Sequence, residues 1–392
     1  MKRIYLDHNA TTPLAPEALE AMLPFLSGGY EGQFGNPSSI HSMGRDARAA
    51  VDDARDRMAH LLGARPNEII FTSGGTEADN LGVIGLARNR VRRGKVRHLI
   101  TTSIEHKAVL RAADFLESQE NFRVTRLGVD ARGLVNLDEL RQAISPETAL
   151  VSIQSANNET GTLQPLSEIA EICHENSVPL HSDMVQSFGK TEVRANDQGA
   201  DAISLGAHKF YGPKGVGLLW LRSGVPIDAI GFGGAHENER RPGTENVAAI
   251  VGMVTAAELA AQSITKEQAR QTVLRDRLWN GIVATFPAAI RNGAWDEPAR
   301  QLANTLNISF PGLDGSSLLI TCDLAGICVS SGSACMTGSP QPSHVLLAMG
   351  IPLKVAQSSL RLSLGKGTTE EDIDEVLERW KGISEKLRRV SV

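Results

Sequence analysis

An alternation in the middle of the chain constrains the fold more than any other feature of the sequence. Short apolar runs at Leu99–Thr102, Ala149–Ile153, Val178–His181, Ala202–Leu205 and Gly217–Leu221 are separated by stretches of helical periodicity. One stretch sets Leu137, Leu140 and Ile144 on a single stripe behind Asn136, a favoured N-cap type, and another does so with Ile169, Ile172 and Cys173. Parallel strands need crossover connections, usually helices, and those helices cover the faces of the sheet. The alternation therefore predicts an α/β fold with a mostly parallel sheet between helices. In such folds the ligand crevice opens at the carboxyl ends of the strands.

The pattern changes near residue 260. A helical stretch at Lys266–Phe286 is followed by a strand at Thr305–Phe310, a Ser/Gly-rich loop, a strictly alternating strand at Ser358–Leu364 and a charged helix at Thr369–Leu387. This reads as a smaller α+β domain, in keeping with the two or three domains that 392 residues suggest. Hydrophobic residues at 41% and charged residues at 22% exclude a disordered chain. Forty-five acids against forty bases leave a net charge of -5, so nothing draws the chain to nucleic acid or to anionic membrane. The one basic run, Arg88–Arg97, reads as cations at a helix C-terminus. Cysteines stand at 173, 322, 328 and 335 with no CxxC and no zinc spacing, so no metal site is expected. The start carries no apolar signal segment, and no run reaches the roughly 18 apolar residues of a spanning helix, which predicts a cytoplasmic protein with free thiols.

Three junctions carry the chemistry. At Ser204–Gly215 a strand ends in His208-Lys209 before a Gly/Pro turn. A lysine desolvated there offers a neutral amine for a Schiff base; the plainer alternative is a solvated surface lysine. At His181–Gln186, Asp183 stands at a strand end, where a carboxylate can hold a positively charged ring nitrogen or simply cap a helix. At Thr72–Asn80, Gly74, Gly75 and Thr76 follow a strand-like Glu68–Phe71, as an anion cradle at a helix start or as a capped helix alone. Together they supply an anion cradle, a ring-nitrogen acid and an amine in chain order, the three needs of a pyridoxal phosphate site. Two further residues bear on the reaction. Cys335 lies among small, polar and turn residues, in a setting where a thiol can react, whereas Cys173, Cys322 and Cys328 sit in apolar settings suited to packing. Arg361 alternates with leucines on its strand and could fork a carboxylate or stay a solvated edge residue.

With these segments in place, the chain resembles the cysteine desulfurases of the NifS/IscS type, within the fold-type-I aminotransferase superfamily. The resemblance runs from Tyr5–Pro13 to Ser363–Glu371, and Cys335–Leu346 is similar to the branch with a long cysteine loop. It implies a large domain at 15–260, with a mostly parallel seven-stranded sheet between helices. It also implies a small α+β domain built from both chain ends, 1–14 and 261–392, that carries the cysteine loop. Lys209 would hold pyridoxal 5'-phosphate, Asp183 would pair with the pyridine nitrogen, and Asn158 and Gln186 would bond the phenolic oxygen. His106 would stack on the ring and help move protons. Gly75, Thr76 and His208 would hold the phosphate, with Thr244 reaching it from the partner subunit of a homodimer. Arg361, with Asn158, would bind the substrate L-cysteine, and Cys335 would take its sulfur as a persulfide for an acceptor protein. That acceptor would serve iron–sulfur cluster assembly or tRNA or DNA thio-modification.

Two positions depart from the family pattern. Gly206 stands where a phosphate-binding Ser is usual, with Ser204 the nearest hydroxyl on that strand, and Met184 stands where a small Ala packs on the ring. A selenocysteine lyase or an aminotransferase would use the same cofactor site, although an aminotransferase has no need of Cys335. A low-activity scaffold subunit of a sulfur-transfer complex is the alternative of another class.

Overall fold

The computed structural model describes residues 2–29, 32–94, 97–331 and 342–390. The first strand is β1 (Ile4–Tyr5), and the next seven form one sheet: β2 (Ile69–Thr72), β3 (His98–Thr102), β4 (Arg123–Leu127), β5 (Thr148–Ser152), β6 (Leu180–Asp183), β7 (Ala202–Gly206) and β8 (Gly217–Leu221). Their order is β2-β8-β7-β6-β5-β3-β4, and only β8 runs against its neighbours. The sheet is thus mostly parallel and seven-stranded, with helices over both faces. Its central strands are buried throughout, as strands covered on two sides must be.

Side chains alternate between two cores. Ile69, Phe71, Val151, Ile203, Leu205, Leu218 and Trp220 face one, with helices Ser42–Leu62, Leu166–Glu175 and Val247–Ala261. Ile70, Leu150, Ala202, Leu219 and Leu221 face the other, with the helical run from Gly75 to Gly94 and with helix Lys107–Glu120. The fully buried Trp220 donates its Nε1–H to Glu68 Oε2 at 3.2 Å, which satisfies its one polar atom.

A second, antiparallel sheet has the order β12-β10-β9, from β9 (Ile290–Asn292), β10 (Thr305–Ser309) and β12 (Ser359–Ser363). Separately, β1 pairs in parallel with β11 (Ile327–Cys328), and an Asp7–Ser363 bridge ties the N-terminal segment to β12. Ile4 and Leu6 share a core with Leu278, Ile308, Phe310, Leu362 and Trp380, so the first residues of the chain pack with the last third.

The element types follow the sequence reading, with shifted bounds. The strand expected at Val178–His181 lies at Leu180–Asp183, the helix expected at Lys266–Phe286 at Ile264–Thr285, and Ile144 follows its helix instead of closing it. The basic run does end a helix, and two of its arginines are in ion pairs: Arg88 with Glu120 and Arg92 with Asp228.

Candidate active site

The carboxyl ends of the strands meet at one edge of the large sheet. Thr72 at the end of β2 pairs with Gly217, which also pairs with Gly206 at the end of β7. A Cβ on Gly217 would fall 2.5 Å from Gly74 C, so only glycine lets the two strand ends approach this closely. The helix starting at Gly75 is thereby pressed against the end of β7: a Cβ on Gly206 would stand 3.4 Å from Gly75 N and 3.4 Å from Val185 Cγ1. Thr76 is exposed in the first turn of that helix. The start is braced by Glu77, which accepts from Ser73 N at 2.5 Å and from Arg241 at 2.8 Å. Ser204 does not substitute for the missing hydroxyl at 206, because it is fully buried and hydrogen-bonded to His181 Nε2 at 2.9 Å.

Asp183 ends β6, and its Oδ1 accepts from Val185 N at 2.9 Å in a local turn. Burial raises its pKa, while His106, that N–H and Lys209 work against the rise. A carboxyl oxygen of Asp79, a carboxyl oxygen of Asp183 and a ring nitrogen of His106 all lie within 4.8 Å of one another. Asp79 is fully buried, and both burial and the Asp183 charge push its pKa well up. Of this carboxyl pair, Asp79 is pushed the more strongly toward its protonated form, and Asp183 is the one whose charge His106 and Lys209 favour. Beneath them, His181 is bonded to Ser152 and Ser204 at 2.9 Å each, and burial lowers its pKa to about 3. His106 caps helix Lys107–Glu120, with Nδ1 accepting from Ala108 N at 3.2 Å, so the neutral ring carries its proton on Nε2. Although the residue is exposed, desolvation by the atoms packed around the ring lowers its pKa against the pull of Asp183, with the Lys209 charge adding to the fall.

Lys209 follows β7 on the short turn Ala207–Lys209. Its Nζ reaches Asn9 O at 2.5 Å and Ala10 O at 2.9 Å, so it is a held amine and not a solvated surface group. His208 bonds Thr11 through Nδ1 at 3.1 Å, and burial, with Lys209, Lys214 and Lys190, lowers its pKa to about 4. Gln186 donates to Asn9 O at 2.8 Å and accepts from Lys190 at 2.6 Å. Asn158 is half-buried, and its backbone carbonyl accepts from Asn9 and Arg361.

Arg361 is no solvated edge residue. It is buried in a strand flanked on both sides, with Nη2 on Asp7 Oδ1 at 2.8 Å and Nη1 on Asn158 O at 3.0 Å. Its Nε is buried with no partner among the described residues, which leaves a guanidinium edge available for an anion. Thr244 is exposed and lines a cavity with Thr72 and Ser73 of its own chain. Cys335 lies outside the described residues. Cys173 and Cys322 are buried, and burial pushes both thiols up to about 12, as packing residues require; Cys328 is half-buried.

Sequence reasoning gave no role to Asn9, Asp7, Lys190, Asp79 or Glu159. Asn9 is the hub, touching Lys209, Gln186, Lys190, Asn304, Thr305 and Ser363 from a segment some 200 residues away from the lysine. Only the Tyr5–Pro13 segment could have pointed to it. Glu159, next to Asn158, accepts from Ser343 at 2.5 Å, and burial raises its pKa to about 7.

Residues 4–376 match the Aminotransferase class-V family. The chain is 46% identical over its full length to the cysteine desulfurase IscS of Clostridium botulinum, covering 96% of that protein. It is 47% identical to the cysteine desulfurase IscS of Methanosarcina thermophila, covering 94%. Among solved structures, a NifS-like protein aligns with a TM-score of 0.90 at 38% identity, over 98% of this chain and 100% of that one. DndA from Streptomyces lividans aligns with a TM-score of 0.76 at 36% identity, over 92% and 99%.

Proposed function

Since the chain belongs to the Aminotransferase class-V family and is a cysteine desulfurase, we propose that Lys209 and Cys335 divide its reaction between them, with pyridoxal 5'-phosphate tethered at the first and sulfur accepted at the second. Enzymes of this family depend on that cofactor in general. The donor set fits it. A helix start pressed against the end of β7 suits the phosphate, the charged Asp183 suits the pyridine nitrogen, and the held amine of Lys209 suits the aldehyde. The convergence of Asp183, His106 and Lys209 at one edge of the sheet carries this reading.

When bound, the cofactor withdraws electrons from the substrate carbon. The protein's own groups do the rest. Asp183 keeps its charge toward the ring nitrogen because Asp79 is pushed the more strongly to hold a proton. Arg361, locked by Asp7 and by Asn158 O, presents its remaining N–H groups to the cysteine carboxylate. Lys209, once its amine is free, takes the α-proton, and the neutral His106 exchanges a proton at Nε2. The Cys335 thiolate attacks the substrate sulfur. An S–S bond forms, the C–S bond breaks with its electron pair left on carbon, and protonation there yields alanine. Gly75, Thr76 and His208 take the phosphate, joined by Thr244 across a homodimer. Residues 15–260 and the two ends, 1–14 and 261–392, act as the two domains. The persulfide passes to an acceptor protein in the cytoplasm, for iron–sulfur cluster assembly or nucleic-acid thio-modification.

Alanine and sulfide formed from L-cysteine test the assignment. Wild type should release both, Cys335→Ser should keep the yellow cofactor band and lose sulfur release, and Lys209→Ala should lose the band. Full sulfur release by the serine variant would remove Cys335 from the mechanism.

A further inference from the structure

Gln186 and Lys209 donate to the same carbonyl, Asn9 O, at 2.8 and 2.5 Å. The side-chain nitrogen of Gln186 therefore lies beside the lysine amine. In pyridoxal the phenolic oxygen sits on the ring carbon next to the one that bears the aldehyde. A donor adjacent to the lysine is thus placed to meet that oxygen, but only if the amide presents nitrogen and not oxygen. An amide can be turned either way, and its neighbours decide which.

Two neighbours decide here: Asn9 O, which only accepts, takes the nitrogen end, and Lys190, four residues after Gln186, takes the oxygen end. Its Nζ reaches Gln186 Oε1 at 2.6 Å and Asn9 Oδ1 at 3.1 Å. Its backbone carbonyl is held by Gln268 at 2.8 Å, and Asn9 Oδ1 is itself fixed by Asn304 at 2.9 Å. Both hydrogen-bond partners of this amine are amide oxygens, and no carboxylate pairs with it among the described residues. The groups around it add no compensating charge at contact: Lys209 and Arg361 repel it, and His8, Tyr211, Glu267 and Lys366 share the small cavity beside it. Burial with those two cations pushes its pKa well down, yet ammonium and amine alike carry N–H bonds to donate. An uncompensated amine is an expensive group to bury where an apolar side chain would fill the space.

We propose that Lys190 is a positioning residue that, with Asn9 O, fixes the polarity of Gln186, holding its oxygen away from the cofactor and its NH2 toward the phenolic oxygen. This rests on the cofactor reading above. One amide proton is used on Asn9 O, and the other is left for the ring.

Titrating cofactor-free protein with pyridoxal phosphate, followed by the visible band, tests the inference. Lys190→Met should weaken binding about tenfold and shift the band, as loss of one positioned hydrogen bond would. Lys190→Gln, which keeps an N–H donor, should recover most of both. Gln186→Met should show the same defect, and adding Lys190→Met to it should cost nothing more, because the lysine acts through the glutamine. Additive losses, or a Lys190→Met protein that binds and absorbs like wild type, would overturn the inference alone. A wild-type protein that takes up no pyridoxal phosphate would overturn the cofactor reading and this inference with it.

Discussion

Asp79, on the helix after β2, and His181 and Asp183, on β6, lie buried with hydroxyl and carboxyl neighbours, whereas Asp7 and Arg361, from the two ends of the chain, form a direct ion pair at 2.8 Å. The sheet side of the site controls charge by desolvation: a proton is favoured on Asp79 and disfavoured on His181 because water is excluded. The chain-end side controls charge by pairing, and its arginine keeps a fixed direction because Asp7 and Asn158 O hold it. Protonation is tuned where a ring must be kept electron-poor, and geometry is fixed where a carboxylate must be read.

Substitutions separate the two sides of the site. The largest effect belongs to the amine both sides enclose: Lys209→Ala should reduce alanine formation from L-cysteine by on the order of 10³-fold. Next is the chain-end pair. Asp7→Asn leaves a buried arginine without its anion and should cost about 3 kcal/mol in denaturant unfolding, with a raised KM for L-cysteine. Unchanged stability would show that the pair is dispensable. On the sheet side, Asp183→Asn should lower kcat on the order of a hundredfold, and Asp79→Asn, which replaces an uncharged carboxyl, by tenfold or less. Equal losses would refute the assignment of the proton to Asp79.

The pH dependence of stability separates the buried groups further. His181, with a folded pKa near 3, contributes stability that is present above its ordinary value near 6.5 and is lost as pH falls toward 3. Glu105 and Glu159, raised by burial to about 8 and about 7, contribute stability that is complete below about pH 4.5 and is lost as pH rises through those values. His181→Gln should flatten the acid limb of a stability profile, and Glu105→Gln the alkaline limb, each by about 1.4 kcal/mol per pH unit where that group alone titrates. The smallest effect is expected at the anion cradle. Gly206→Ser has room for its Cβ at 3.4 Å and adds a hydroxyl beside the helix start, so pyridoxal phosphate should bind about fivefold tighter. Weaker binding would mean that Val185 already fills the space.

Local pattern made the strand ends legible. Asp183, His208-Lys209 and the Gly75 helix start all stand where a short, mostly apolar run gives way to a turn, and the parallel fold turns such positions toward one crevice. The network around Asn9 was not legible, because its contacts cross as many as 354 residues of sequence. The orientation of Gln186 was equally hidden, since an amide's polarity belongs to its neighbours.

By itself, then, the sequence determined the α/β class and the chemical types available at each strand end, because periodicity and side-chain chemistry are local properties. Only the tertiary structure decided that Arg361 is buried against Asp7, that Ser204 serves His181, and that Lys190 faces Gln186. Each of those depends on which segments fold together, and burial and pairing exist only after they have done so.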